Sequence, residues 1–136
     1  MPRNISFSMT ADQIRNQTKT VTRRLGWKFL KPGDLLQPVV KGMGLKKGEH
    51  VEKIGGLIRV VSIRLELLSD IKLYPNRTPG LSGWWTGNVE IIREGFPKMH
   101  YKEFIEMFCK ANQCKPDTVV TRIEFEYVMP QSGSDE

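Results

Sequence analysis

Within seven residues, Thr18-Lys19-Thr20-Val21-Thr22-Arg23-Arg24, the chain carries a lysine, several threonine hydroxyls and two guanidiniums. A lysine beside a half-buried strand loses charge on desolvation, and the neutral amine is then a nucleophile or a base. Arg24 can fork two hydrogen bonds onto a phosphate or a carboxylate. If Val21 points into a core, the two-residue period of a strand sends Thr20 and Thr22 to the other face. The same residues also suit a solvated strand edge, where lysines discourage pairing with other sheets. The stretch by itself leaves both readings open.

Other residues add possible ligand contacts. A tryptophan beside a basic cleft can stack a nucleobase, and Trp27, Trp84 and Trp85 are the candidates. Packing is the competing role for each. Trp84 and Trp85 are adjacent, so in a strand at most one of them faces the core. Lys46 and Lys47 lie in a glycine-rich basic run from Lys41 to Glu49. That run lacks the Gly-Lys-Ser/Thr ending of a phosphate-binding loop and reads as a loop suited to a phosphate backbone. The formal charge of +6 and the pI near 9.5 favour a polyanionic partner, nucleic acid or a phosphorylated small molecule. Cys109, Cys114, His50 and His100 do not fall at zinc-site spacing, so neither a metal nor an organic cofactor is expected. No apolar run approaches the roughly 20 residues of a membrane span, and no signal-peptide segment follows Met1. A cytoplasmic protein without a membrane partner is the expectation.

The elements that must position these residues follow from pattern. Ile5 to Met9 alternates as a short strand. Thr10 and Gln13 have capping-box spacing and predict a helix of about two turns ending near Asn16. Lys31-Pro32-Gly33-Asp34 is a turn. A strand follows from Leu35 to Lys41, irregular or at an edge because of Pro38. Leu57 to Leu68 is a long strand with Ser62, Arg64 and Glu66 on its second face, and Asp70 to Gly83 reads as loop. Val89 to Arg93 reads as a short strand or turn. Tyr101, Phe104, Ile105, Phe108 and Cys109 form the apolar stripe of a helix from His100 to Ala111, stopping at Asn112. The last strand, Thr118 to Val128, places Val119, Thr121, Ile123, Phe125 and Tyr127 inward, with Arg122, Glu124 and Glu126 on a wet face. One α+β domain over residues 1–129 results, a small β-barrel of mostly antiparallel strands with two or three flanking helices. Residues 130–136 form a flexible tail.

Gln17-Thr18-Lys19-Thr20-Val21-Thr22-Arg23-Arg24 resembles the signature of the ASCH domain, a member of the PUA-like superfamily. Lys19, Thr22 and Arg24 fall on its lysine, threonine and arginine. Lys31-Pro32-Gly33-Asp34-Leu35-Leu36 resembles the family's turn into the next strand. Glu94-Gly95-Phe96 resembles its acidic lead into the second helix, and Val120 to Tyr127 its final strand. Gln17 stands where the family has a glycine, and the segment from Leu73 to Asn88 is longer than in the smallest members. The resemblance implies a PUA-like barrel that binds RNA or a modified nucleoside in a cleft lined by Lys19, Thr22, Arg24 and Glu94. One branch of the family removes acetyl from N4-acetylcytidine. Its lysine, threonine and glutamate carry over to Lys19, Thr22 and Glu94 as catalytic residues.

Overall fold

The computed structural model describes residues 3–7, 9–40, 52–73 and 90–128. Among these residues five strands form one mixed sheet: β1 (Arg3–Ser6), β2 (Val21–Arg24), β3 (Leu35–Val39), β4 (Ile58–Leu67) and β5 (Val119–Tyr127). Their order is β1-β3-β4-β5-β2. Among the described residues three α-helical segments accompany it, α1 (Ala11–Arg15), α2 (residues 90–93) and α3 (Tyr101–Asn112), with a 3-10 helix at Leu68–Leu73. The α+β class and the mainly antiparallel pairing match expectation, while β1 and β3 run parallel.

The expected barrel is not closed: among the described residues no ladder joins the two edges, β1 and β2. Side chains span the gap instead. Arg24 Nη2 donates to Ser6 O at 2.5 Å, and the Arg24 guanidinium lies 4.8 Å from the centre of the Phe7 ring. The edges are therefore separated by a cleft, described below.

β5 divides two apolar cores. On one side Ile5, Phe7, Ile14, Leu36, Ile58, Val60, Ile123 and Phe125 pack together. On the other, Val120 meets Leu68, Ile71, Ile91, Phe104 and Phe108. Each such buried side chain contributes about 1.5–3 kcal/mol relative to exposure. Ile123 and Phe125 face the core as their alternation predicts, but two neighbours do not follow it. Arg122 is buried because α2 and α3 cover the face expected to be wet, whereas Val119 is 51% exposed at the strand's start, opposite the exposed Leu67. A bulge between Val60 and Ser62 shifts β4 by one residue. Ile63 thus packs on the same core as Ile58 and Val60, and Arg64 and Glu66 share the face of Arg122.

Two local expectations also change, and a third, at Pro38, takes its irregular form. Residues 90–93 are helical rather than a short strand or turn, because Glu90 and Glu94 find buried cationic partners on one helix face. The stretch from Leu68 to Leu73 is a 3-10 helix, where the expected strand ran to Leu68 and the expected loop began at Asp70. Pro38 sits within an interior strand, but β3 pairs with β4 only at Leu35 and Leu36, so its missing N–H is not needed there, and its carbonyl accepts from Ile54 N at 2.9 Å. The turn at Gly33 forms as expected, with φ +96° and Asp34 N donating to Lys31 O at 3.0 Å. The stripe on α3 buries Phe104 and Phe108, with His100 and Glu103 forming a capping box. The tail 130–136 lies outside the described residues.

In α1 the capping box does not form; Gln13 is used elsewhere. Asn16 keeps a helical torsion, and the left-handed residue that ends the turn is Gln17, φ +60°. A side chain in that conformation costs roughly 1–2 kcal/mol, and glycine relieves it at an entropic cost of roughly 0.5–1 kcal/mol. Gln17→Gly is therefore expected to stabilise the fold by about 0.5–1 kcal/mol, raising Tm by roughly 2–5 °C in thermal unfolding. A lower Tm would contradict this account of the turn.

Candidate functional site

Lys19 is suspended between three elements. Gln13 O accepts from Thr18 N at 2.9 Å and Lys19 N at 3.4 Å, and Thr20 N donates to Arg93 O at 2.8 Å. From β5, the Tyr127 hydroxyl donates to Lys19 O at 2.5 Å. Gln13 also donates through Nε2 to Gly95 O at 3.0 Å. That link needs glycine at position 95: its φ is +101°, and an added Cβ would lie 3.0 Å from Gln13 Cγ. The backbone on both sides of the Lys19–Glu94 contact is thus tied to one glutamine.

The Lys19 side chain runs inward and is 3% exposed. Nζ donates to Glu94 Oε1 at 2.9 Å and to Glu94 O at 2.6 Å. The other carboxylate oxygen, Oε2, accepts from Arg23 Nη1 at 2.8 Å. Arg23 then reaches Glu90 Oε2 through Nη2 at 2.7 Å and Glu66 Oε2 through Nε at 3.2 Å. Arg122 Nε donates to the same Glu90 oxygen at 2.6 Å. The strand register explains why the cluster is needed. Arg64 pairs with Arg122, and Arg122 with Arg23, so three arginines occupy one row across β4, β5 and β2. Like charges directly opposite one another destabilise a sheet. Glu90 and Glu94, four residues apart and so on one helix face, bring two carboxylates onto that row.

Titration follows these contacts. Burial pushes the Lys19 amine below its ordinary value; Glu94 opposes the shift, and Arg24 and Arg23 add to it. Burial alone would lower Arg23, but Glu94, Glu90 and Glu66 outweigh it and hold the guanidinium charged. Burial alone would raise Glu90, yet the hydrogen bond from Arg122 and the charge of Arg23 hold its carboxyl below the usual range.

In front of this cluster lies a cleft of about 520 Å³ between the end of β1, β2, the loop after β2 and α3. Thr22, Arg24, Trp27 and Glu94 all line it, together with Phe7 and Phe104. Of the residues read from the signature, Lys19 alone stands behind the wall, against Glu94. Thr22 Oγ1 accepts from Arg24 Nε at 3.1 Å, which keeps the threonine proton for another partner. Burial pushes Arg24 down to about 10, with Glu94 opposing, so it is charged at neutral pH. Among the described residues its hydrogen bonds go to Thr22 Oγ1 and Ser6 O, neither of them a carboxylate. Arg24 thus presents a positive charge to the cleft, while the cations behind it are matched by Glu66, Glu90 and Glu94.

Trp84, Trp85, Lys46 and Lys47 lie outside the described residues. The buried roles of Gln13, Arg23, Glu90 and Arg122 were not read from the sequence. The four-residue spacing of Glu90 and Glu94 was the available signal, masked by the β-rich string Val89-Glu90-Ile91-Ile92. Among the described residues no cluster of three or more histidine, cysteine, aspartate or glutamate side chains could hold a metal ion, and no helix is long and apolar enough to cross a membrane. Comparison with protein-family models, curated proteins and solved structures finds no match.

Replacing Glu90 tests the cluster. Glu90→Gln leaves Arg23 and Arg122 buried without the charge between them, and urea unfolding at pH 7 is expected to show a loss of about 3–5 kcal/mol. A carboxyl with a lowered folded pKa stabilises fully above its ordinary value of 4.5 and loses that contribution as pH falls through the folded value. The wild type should therefore lose stability on acidification below about 4.5, with a shallower acid limb in Glu90→Gln. Equal acid limbs would count against the assignment.

Proposed function

We propose that this chain binds a nucleoside, free or carried in RNA, in the cleft between β1, β2 and α3, in the manner expected of an ASCH-like domain. The observation that carries this reading is the pairing of Arg24 with an aromatic wall. A guanidinium without a carboxylate hydrogen-bond partner among the described residues faces a cleft lined by Phe7, Trp27 and Phe104. Its volume of about 520 Å³ lies within the range of small-molecule sites, roughly 300–1,000 Å³. The aromatic faces suit a base, and the guanidinium suits a phosphate or a carbonyl edge. The order of Lys19, Thr22, Arg24 and Glu94 along the chain supports the family resemblance, and with it the PUA-like relationship of the open sheet.

A second reading, amide hydrolysis of an N4-acylated cytidine, is favoured by the Lys19–Glu94 contact. In that reaction water adds to the acyl carbon and gives its proton to the Lys19–Glu94 pair. The Thr22 hydroxyl donates to the oxyanion that develops. The proton passes to N4 as the C–N bond breaks, releasing cytidine and the carboxylic acid. Burial lowers the basicity of Lys19 toward the value such a role needs. Against this, both oxygens of Glu94 are engaged by cations, as in a structural ion pair, so binding is placed first.

Incubation with N4-acetylcytidine, with cytidine release followed by chromatography and Tm measured alongside, separates the two. Binding is expected to raise Tm. Turnover, if present, should fall about 100-fold or more in Thr22→Val, a substitution that leaves the charged cluster intact. A Tm shift without cytidine release leaves binding alone. Neither a shift nor release would overturn both readings.

A further inference from the structure

Next to the cleft, Phe29 and Arg3 extend the aromatic wall at Trp27 onto a surface that the nucleoside site does not use. Trp27 lines the cleft and stacks on Phe29 at 5.5 Å between ring centres, with 29° between planes. The Arg3 guanidinium lies 4.6 Å from the centre of the Phe29 ring. Phe29 is 53% exposed, which is unusual for a residue already in an aromatic stack, since burial would give it about 1.5–3 kcal/mol. Phe29 and Arg3 line a second hollow of about 450 Å³, and the Trp27–Phe29 stack connects it to the first. The loop that carries both rings is pinned: Gly26 and Trp27 have positive φ, and the Thr121 hydroxyl donates to Gly26 O. Lys28 and Lys31 are exposed on the same loop. One carboxylate, Asp34, also lines the hollow, and it accepts from Lys31 N at 2.9 Å.

Resting on the nucleoside reading of the cleft, we propose that the ligand is a single-stranded RNA segment. The Trp27–Phe29–Arg3 array is a second subsite for the nucleotide next to the one in the cleft. Aromatic stacking is indifferent to base identity because every base has a π-face. Arg3 contributes a guanidinium plane and N–H donors for the connecting phosphate. A free nucleoside fills only the cleft; a strand fills both hollows. The second subsite thus sets strand over monomer and leaves the identity of the base to the cleft.

The test compares N4-acetylcytidine with a hexanucleotide carrying that base near its centre, by calorimetry and fluorescence anisotropy. The wild type should bind the hexanucleotide at least 10-fold more tightly than the nucleoside. Phe29→Ala, an exposed position, should weaken the hexanucleotide roughly 5- to 100-fold and leave nucleoside affinity unchanged. Arg3→Gln should reduce the salt slope of RNA binding by about one. Equal affinity for strand and nucleoside, or unchanged RNA affinity in Phe29→Ala, overturns the second subsite and leaves the cleft reading standing. If neither ligand binds, the cleft reading falls and this inference falls with it.

Discussion

The interaction on which the rest depends is the grip of Glu90 and Glu94 on a row of arginines. Arg64, Arg122 and Arg23 face one another across three adjacent strands, an arrangement that would repel itself if left alone under a helix layer. α2 and the turn that follows it bring two carboxylates to the row, and β4 contributes a third from Glu66. Desolvation makes such a cluster expensive to bury and more expensive to break, because removal of one partner strands the other's charge. The geometry therefore specifies where α2 docks more than it adds to net stability. Apolar packing of Ile91 in the second core supplies attraction without that directional constraint.

The cleft inherits its shape and charge from this docking. Glu94 ends α2 and turns its carboxylate to Lys19 and Arg23, and Gly95 brings the next carbonyl within reach of Gln13. Lys19 is thereby held behind the wall, while Thr22 and Arg24 occupy it. Matched charges behind and a cation at the surface make an anion-receptive site in a setting where solvent screening is weak. The open gap between β1 and β2 provides its volume; a closed ladder there would fill it with paired backbone.

Much of the scaffold was legible because it rests on local chemistry. The α3 stripe, the turn at Gly33 and the alternation of Ile123 and Phe125 each depend on neighbours in sequence. The Lys19, Thr22, Arg24 and Glu94 set was drawn from a resemblance and not from the residues' own pattern; Thr22, Arg24 and Glu94 line one cleft with Trp27. What was hidden depends on partners far along the chain. Arg122 reads as a solvent-facing residue until α2 covers it, and residues 90–93 read as a short strand or turn until Arg23 and Arg122 engage Glu90. Gln13 looked like half of a capping box because its true partner, Gly95 O, is 82 positions away. The Val60/Ser62 bulge reversed faces in β4 with no glycine to announce it. Gln17 adopts a left-handed torsion that a glycine would ease, and no residue pattern announces it.

The most direct measurement is a titration of the uniformly ¹⁵N-labelled protein with N4-acetylcytidine, read by amide chemical shifts at neutral pH. The account predicts saturable shifts concentrated at Thr22, Arg24, Trp27 and Phe96, with the amides of β3 unchanged. Absence of shifts at the ligand's solubility limit, or shifts centred away from the gap between β1 and β2, would contradict it.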